Sequence, residues 1–105
     1  MFRVVVRGHF YGLDARQQAN LRAAAGDHEI FKSSYTREGT LTYEPNLVAF
    51  SFRFELRDTD SETDAEAEQR VTEIALDRAR ASLATMGVDH RHLRATATNM
   101  ASVWE

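Results

Sequence analysis

Apolar and polar residues alternate at period two over four stretches of the chain, the signature of strands with one buried face. From Phe2 to Phe10, the residues Phe2, Val4, Val6 and Phe10 share one side, and Arg3, Val5, Arg7 and His9 share the other. Thr40 to Tyr43 alternates over a shorter span. From Val48 to Arg57, Val48, Phe50, Phe52, Phe54 and Leu56 fall together, opposite Ala49, Ser51, Arg53, Glu55 and Arg57. Glu44-Pro45-Asn46-Leu47 supplies a turn between these two runs, so Thr40 to Arg57 reads as a hairpin. Arg91 to Met100 is the last strand, with Leu93, Ala95 and Ala97 on the apolar side and His92, Arg94, Thr96 and Thr98 on the polar one.

Two segments carry the helical period. Asp14 to Gln17 has the form of a capping box, and the spacing predicts a short helix from about Ala15 to Ala25, stopped by Gly26. Its apolar stripe is thin and built of small residues. Thr63 and Glu66 open a second helix, which runs to about Met86 with Val71, Ile74, Ala75, Ala79, Leu83 and Met86 as its stripe and Gly87 as its stop. The acidic residues around its start suit the positive end of a helix dipole. Asp27 to Ser34 has no clear period, Asp58 to Asp64 is a polar link, and Trp104 in the C-terminal tail is expected to pack against the body.

The order strand, helix, strand, strand, helix, strand predicts an α+β, ferredoxin-like βαββαβ sandwich over residues 1–105: a four-stranded antiparallel sheet with two helices on one face. Right-handed crossovers are expected to place strands one and three side by side in the middle, as a parallel pair, with strand four antiparallel beside strand one and strand two beside strand three.

Composition narrows the classes of function. A chain of 105 residues with 43% hydrophobic residues holds one domain with one core. A net charge of -3 and a pI near 5.8 argue against a general nucleic-acid or membrane-surface binder. The absence of cysteine removes disulfides, thiolate metal sites and cysteine nucleophiles. With no signal segment and no long apolar run, the expected address is the cytoplasm. RNA-binding sheets of this topology display aromatic rings on the open face, whereas Phe50, Phe52 and Phe54 here have core parity.

The polar sheet face is the candidate site. In the expected topology Arg7 lies near Arg94 and His9 near His92, with Arg53 and Glu55 approaching from the third strand. Arg3, Arg7, Arg53 and Arg94 then surround a single acid, Glu55. Opposed like charges call for neutralisation by salt, by a second subunit in a homodimer, or by a small anionic molecule held in arginine forks. His9 and His92 are candidate proton-transfer groups, since imidazole titrates near neutral pH. His90-x-His92 puts two imidazoles on one side of a strand, a weak metal pattern that His9 and Glu55 would complete. The favoured reading has no metal and no cofactor. His28 is read as a charge at the C-terminal end of the first helix.

Val6-Arg7-Gly8-His9-Phe10-Tyr11-Gly12-Leu13, Asp27-His28, Glu38 to Tyr43, Phe52-Arg53-Phe54 and Leu93 to Met100 together resemble a family of small uncharacterised actinobacterial proteins. That resemblance covers nearly the whole chain and implies a single compact domain without supplying an activity. Val6-Arg7-Gly8 also resembles the start of the phosphate-binding turn of acylphosphatases. That likeness implies a hydrolase in which Arg16 heads the first helix as the phosphate-binding arginine. The asparagine that positions water in that family has no clear counterpart here. The sequence therefore leads to a small-anion-binding protein with cofactor-free acid-base chemistry, with a dimeric interaction module or an acylphosphatase-like hydrolase as alternatives.

Overall fold

A computed structural model describes residues 1–29, 34–58 and 61–101. The elements are β1 (Phe2–Tyr11), α1 (Ala15–Ala24) continuing into a 3-10 turn (Ala25–His28), β2 (Thr40–Tyr43), β3 (Ala49–Leu56), α2 (Asp64–Met86) and β4 (Asp89–Asn99). The strands form one sheet in the order β2-β3-β1-β4, the ferredoxin-like arrangement. Trp104 and the middle of the Asp27 to Ser34 stretch lie outside the described residues, as do Thr59 and Asp60 of the acidic link.

The two central strands run antiparallel, with Val4 opposite Phe54 and Val6 opposite Phe52, which corrects the expected parallel pair. The cause is topological. Each helical crossover makes the strands it joins parallel, but it skips one place in the sheet, and the strand filling that place runs the other way. β1 and β2 are parallel across β3, and β3 and β4 are parallel across β1, so every neighbouring pair is antiparallel.

Alternation along β1 and β3 sets the core. Phe2, Val4 and Val6 of β1 and Phe50, Phe52 and Phe54 of β3 are buried. The rings of Phe10, Phe50, Phe52 and Phe54 follow one another at centroid distances of 5.0, 5.8 and 6.2 Å, within the favourable range for aromatic pairs. Against them α2 lays Ala67, Val71, Ala75, Ala79 and Leu83, all buried. The alanines let the helix approach the sheet while the sheet supplies the bulk. Leu93, Ala95 and Ala97 of β4 are half-buried at the margin of this core. Met86 is exposed, because the stripe turns away from the sheet in the last turn before Gly87 closes the helix at φ 70.

Helix lengths make the two halves of the covered face unequal. At 23 residues α2 is about 35 Å long and matches the full run of the long strands. The 10 residues of α1 reach less than half as far, and only Leu21 of that helix is buried. α1 is held by polar ties on two sides: the Tyr43 hydroxyl of β2 donates to the Leu21 carbonyl at 2.6 Å, and Gln17 Nε2 donates to the carbonyl of Gly87, the residue that ends α2, at 2.7 Å. Its expected left-handed stop at Gly26 is replaced by the 3-10 turn, in which Ala25 is buried and His28 stacks on the Tyr43 ring at 5.2 Å. No described helix is long and apolar enough to cross a membrane.

Parity on β3 predicts a direct test. Truncating Phe52 to Ala empties a fully enclosed site and is expected to cost about 3–5 kcal/mol, whereas Ser51→Ala on the opposite face is expected to change stability by less than about 0.5 kcal/mol. Chemical denaturation of the two variants measures the difference, and equal losses would contradict the one-sided core.

Candidate functional site

The face of the sheet away from the helices carries Arg3, Val5, Arg7 and His9 from β1, and Ser51, Arg53 and Glu55 from β3. Thr40 and Thr42 come to it from β2, and Arg94, Thr96 and Thr98 from β4. Arg7 and Arg94 are direct cross-strand partners, as the sequence suggested. One step further along, the His9 and His92 rings meet edge to face, with centroids 5.5 Å apart and an interplanar angle of 76°.

A bulge interrupts the ladder at that meeting. Arg7 pairs with Arg94 but His9 pairs with Arg91, so Gly8 faces two residues, His92 and Leu93. His92 absorbs the extra length at φ 58, in the left-handed region. The slip also separates the two histidines of β4. His90 falls in register with Phe10, at core parity, while His92 stays with His9 on the open face. The expected same-side His90-x-His92 pair is therefore not formed. Among the described residues no group of three or more metal-ligating side chains comes together.

Gly8 is what lets the strands close at this point. A Cβ there would lie 2.7 Å from Phe50 Cζ and 3.1 Å from Leu93 Cδ1. The Phe50 ring fills the space a side chain would take.

The hairpin between β2 and β3 builds one wall of the site. Leu47 takes a left-handed conformation at φ 56 and buries its own side chain. This breaks the alternation one residue before β3, so Val48, expected in the core, is 56% exposed. The turn is tied by Asn46 Oδ1, which accepts from the Val48 amide, and by the Val48 carbonyl, which accepts from the Phe10 amide at 3.1 Å. A cavity of about 370 Å³ results. Arg7, His9, His92 and Arg94 line it on one side, Thr42 and Ser51 beneath, and Glu44, Asn46 and Val48 on the other side. Thr42 Oγ1 is buried with no hydrogen-bond partner among the described residues. Tyr43 also borders the cavity. Burial, helped by the Asp27 carboxylate, pushes its phenol above the ordinary value, so it stays protonated and acts as a donor to Leu21.

The expected four-arginine cluster divides in two. Arg53 pairs with Val5 and Glu55 with Arg3, two and four residues from the Ser51 rung that faces Arg7. Tyr35 lies over this second group, with the Arg3 and Arg53 guanidinium carbons 4.7 and 5.7 Å from its ring centroid. Glu55 thus stands away from Arg7 and Arg94, and neither of those arginines forms an ion pair among the described residues. Glu44 is the acid that borders the cavity, and sequence reasoning placed it only in a turn. A second cavity, of about 670 Å³, lies between α2 and the Tyr35–Arg37 segment. Two of the four arginines that line it have engaged guanidinium groups: Arg70 binds Glu62 and the Arg57 carbonyl, and Arg78 donates to the Arg37 carbonyl. Arg16 borders neither cavity, and the amide of Gln17 at the start of α1 is already occupied by the Asp14 carboxylate at 2.7 Å.

The family profile described as a family of unknown function (DUF6204) matches residues 1–104, and the chain belongs to that family. No curated protein and no solved structure matched it.

The left-handed backbone of His92 separates its structural from its chemical role. His92→Gly is expected to leave stability unchanged or raise it by up to about 1 kcal/mol, whereas the β-branched His92→Val should lose about 1–2 kcal/mol. Thermal unfolding of the two variants checks the sign, and a Gly variant less stable than Val would contradict the bulge.

Proposed function

We propose that this member of a family of unknown function binds a small anionic molecule at the open end of its sheet, with Arg7 and Arg94 holding the acidic group and His9 and His92 beside it as the proton-transfer pair. The observation that supports this reading is the Arg7–Arg94 rung. Two guanidinium groups stand in cross-strand register without an ion pair among the described residues, and both border a cavity of small-molecule size. Like charges directly opposed across strands destabilise a sheet unless an anion lies between them. A guanidinium fork matches the oxygens of a carboxylate or phosphate. Arg53 and Glu55, expected at the same site, belong in this reading to the neighbouring Tyr35 cluster. The chemistry needs no metal or cofactor, since two imidazoles suffice to take and return a proton at an adjacent carbon or oxygen. A chain without cysteine fits the reducing cytoplasm.

Phosphate or a carboxylate is expected to raise the melting temperature of the wild type. At about ten times Kd the gain is about 1.4 kcal/mol, several degrees for a domain of this size. The increment should disappear in the double variant Arg7→Met/Arg94→Met, whatever the gain in plain buffer from removing the repulsion. Equal responses of the two proteins to every anion would refute the site.

A second reading, a homodimer, is favoured by one feature. β4 forms an edge of 11 residues, while the opposite edge strand, β2, has only four. A long unpaired edge is a template for another strand. Face-to-face pairing through the open side would oppose arginine to arginine, so we place the two-fold contact along β4. Sedimentation at high micromolar concentration is expected to show a dimer, and a monomer there would exclude it.

A further inference from the structure

We infer that the ligand of the Arg7–Arg94 site carries a cationic group as well as an acidic one, and that Glu44 receives it. This rests on the anion-site reading above and adds the second pole of the molecule. Arg7 and Arg94 approach from β1 and β4, and Glu44 stands across from them at the end of β2. Three strands contribute, in the order β2-β3-β1, before β4 is reached. Neighbouring strands are about 4.8 Å apart, so the acid and the cross-strand arginine pair are separated by roughly 10 Å or more. That spacing explains why Glu44 does not quench the arginines, and none of the three is in an ion pair among the described residues.

Between the poles the floor is hydroxyl-bearing. Thr42 and Ser51 are cross-strand partners, and Thr42 Oγ1 is left without a hydrogen-bond partner among the described residues. A molecule lying across the cavity, with a donor or acceptor over this rung, reaches both charged walls. A purely anionic ligand sits against the arginine wall and leaves the Glu44 carboxylate across the cavity without a counter-charge. The chemical class is therefore an amino acid, or an amino-bearing phosphate ester, in which ammonium and acid are several bonds apart.

The Glu44 side chain is exposed and its role in the turn is carried by its backbone carbonyl, which accepts from the Leu47 amide at 3.0 Å. Glu44→Gln therefore keeps the hairpin while removing the charge. The test titrates wild type, Glu44→Gln and Arg7→Met/Arg94→Met with two matched pairs, followed by amide shifts in NMR: butyrate against 4-aminobutyrate, and ethyl phosphate against phosphoethanolamine. In the wild type the amino member of a pair is expected to bind about threefold to tenfold more tightly, the range of one partly solvated ion pair. Glu44→Gln should abolish that preference and keep the binding of butyrate or ethyl phosphate. The arginine variant should lose both members. The carboxylate and phosphate arms show which acid the fork takes. Equal affinity within both pairs, or a preference that survives Glu44→Gln, overturns the inference while leaving the anion site standing. Absence of binding by all four compounds overturns the anion site and this inference together.

Discussion

The contact between Gly8 and the Phe50 ring fixes the relation between the core and the open face. Phe50 stands opposite Gly8 in the central strand pair, and its ring occupies the volume that any Cβ at position 8 would need. On the other side of β1 the same glycine faces the two bulged residues of β4. Leu93 closes on it from below, and His92 is turned through the left-handed region toward His9. One residue without a side chain thus admits the aromatic ladder of the core and lets β4 carry an extra residue while the two imidazoles stay in contact. Bulges that re-aim a side chain are common beside functional sites for this reason: they change the direction of one residue without disturbing the ladder on either side.

The unequal helices complete the picture. α2 is long enough to seal the covered side of β1, β3 and β4, and its alanine stripe leaves the volume to the phenylalanines. α1 is short; it reaches β2 through the hydrogen bond from Tyr43 as much as through Leu21, and Gln17 ties it to Gly87 at the end of α2. The hairpin beside α1 is shaped by local chemistry. Asn46 caps its own turn, and Leu47 spends a strained backbone angle to bury its side chain. That geometry lifts Val48 and Glu44 to the edge of the cavity. The wall of the candidate site is a consequence of how the turn satisfies itself.

The architecture was legible because period-two alternation survives intact through β1 and β3 and the period-3.6 stripe through α2, and because Gly87 and both N-caps stand where helix ends need them. The Arg7–Arg94 rung and the His9–His92 meeting follow from that frame alone. The parts that escaped are those set by single residues leaving the regular backbone. Leu47 in a left-handed turn removes Val48 from the core, and nothing in the apolar run Leu47-Val48 marks which of the two is buried. The β4 bulge did leave a trace. Val88 and Leu93 both reach the core although they are an odd number of positions apart, so one residue between them had to be extra. The polar run from Asp89 to His92 concealed which one. The grouping of Glu55 and Arg53 with Arg7 failed on register: the residues share a face, but Ser51 occupies the rung opposite Arg7.

Charge is distributed so that the molecule as a whole and its candidate site have opposite signs. The chain carries -3 overall, and α2 presents Asp64, Glu66, Glu68, Glu73 and Asp77 to solvent on the other side of the sheet. At physiological ionic strength fields are screened over about 8 Å, so those carboxylates act only weakly on an ion at the open face, with the sheet and half of the core between them. An anion of a few atoms at the cavity is governed by Arg7 and Arg94. A long polyanion extends past the local pair, reaches only the Arg3 and Arg53 group further along the same face, and beyond it meets a molecule of net negative charge. Small cationic clusters in acidic proteins therefore select for compact anions by range alone, before any shape of the cavity is considered.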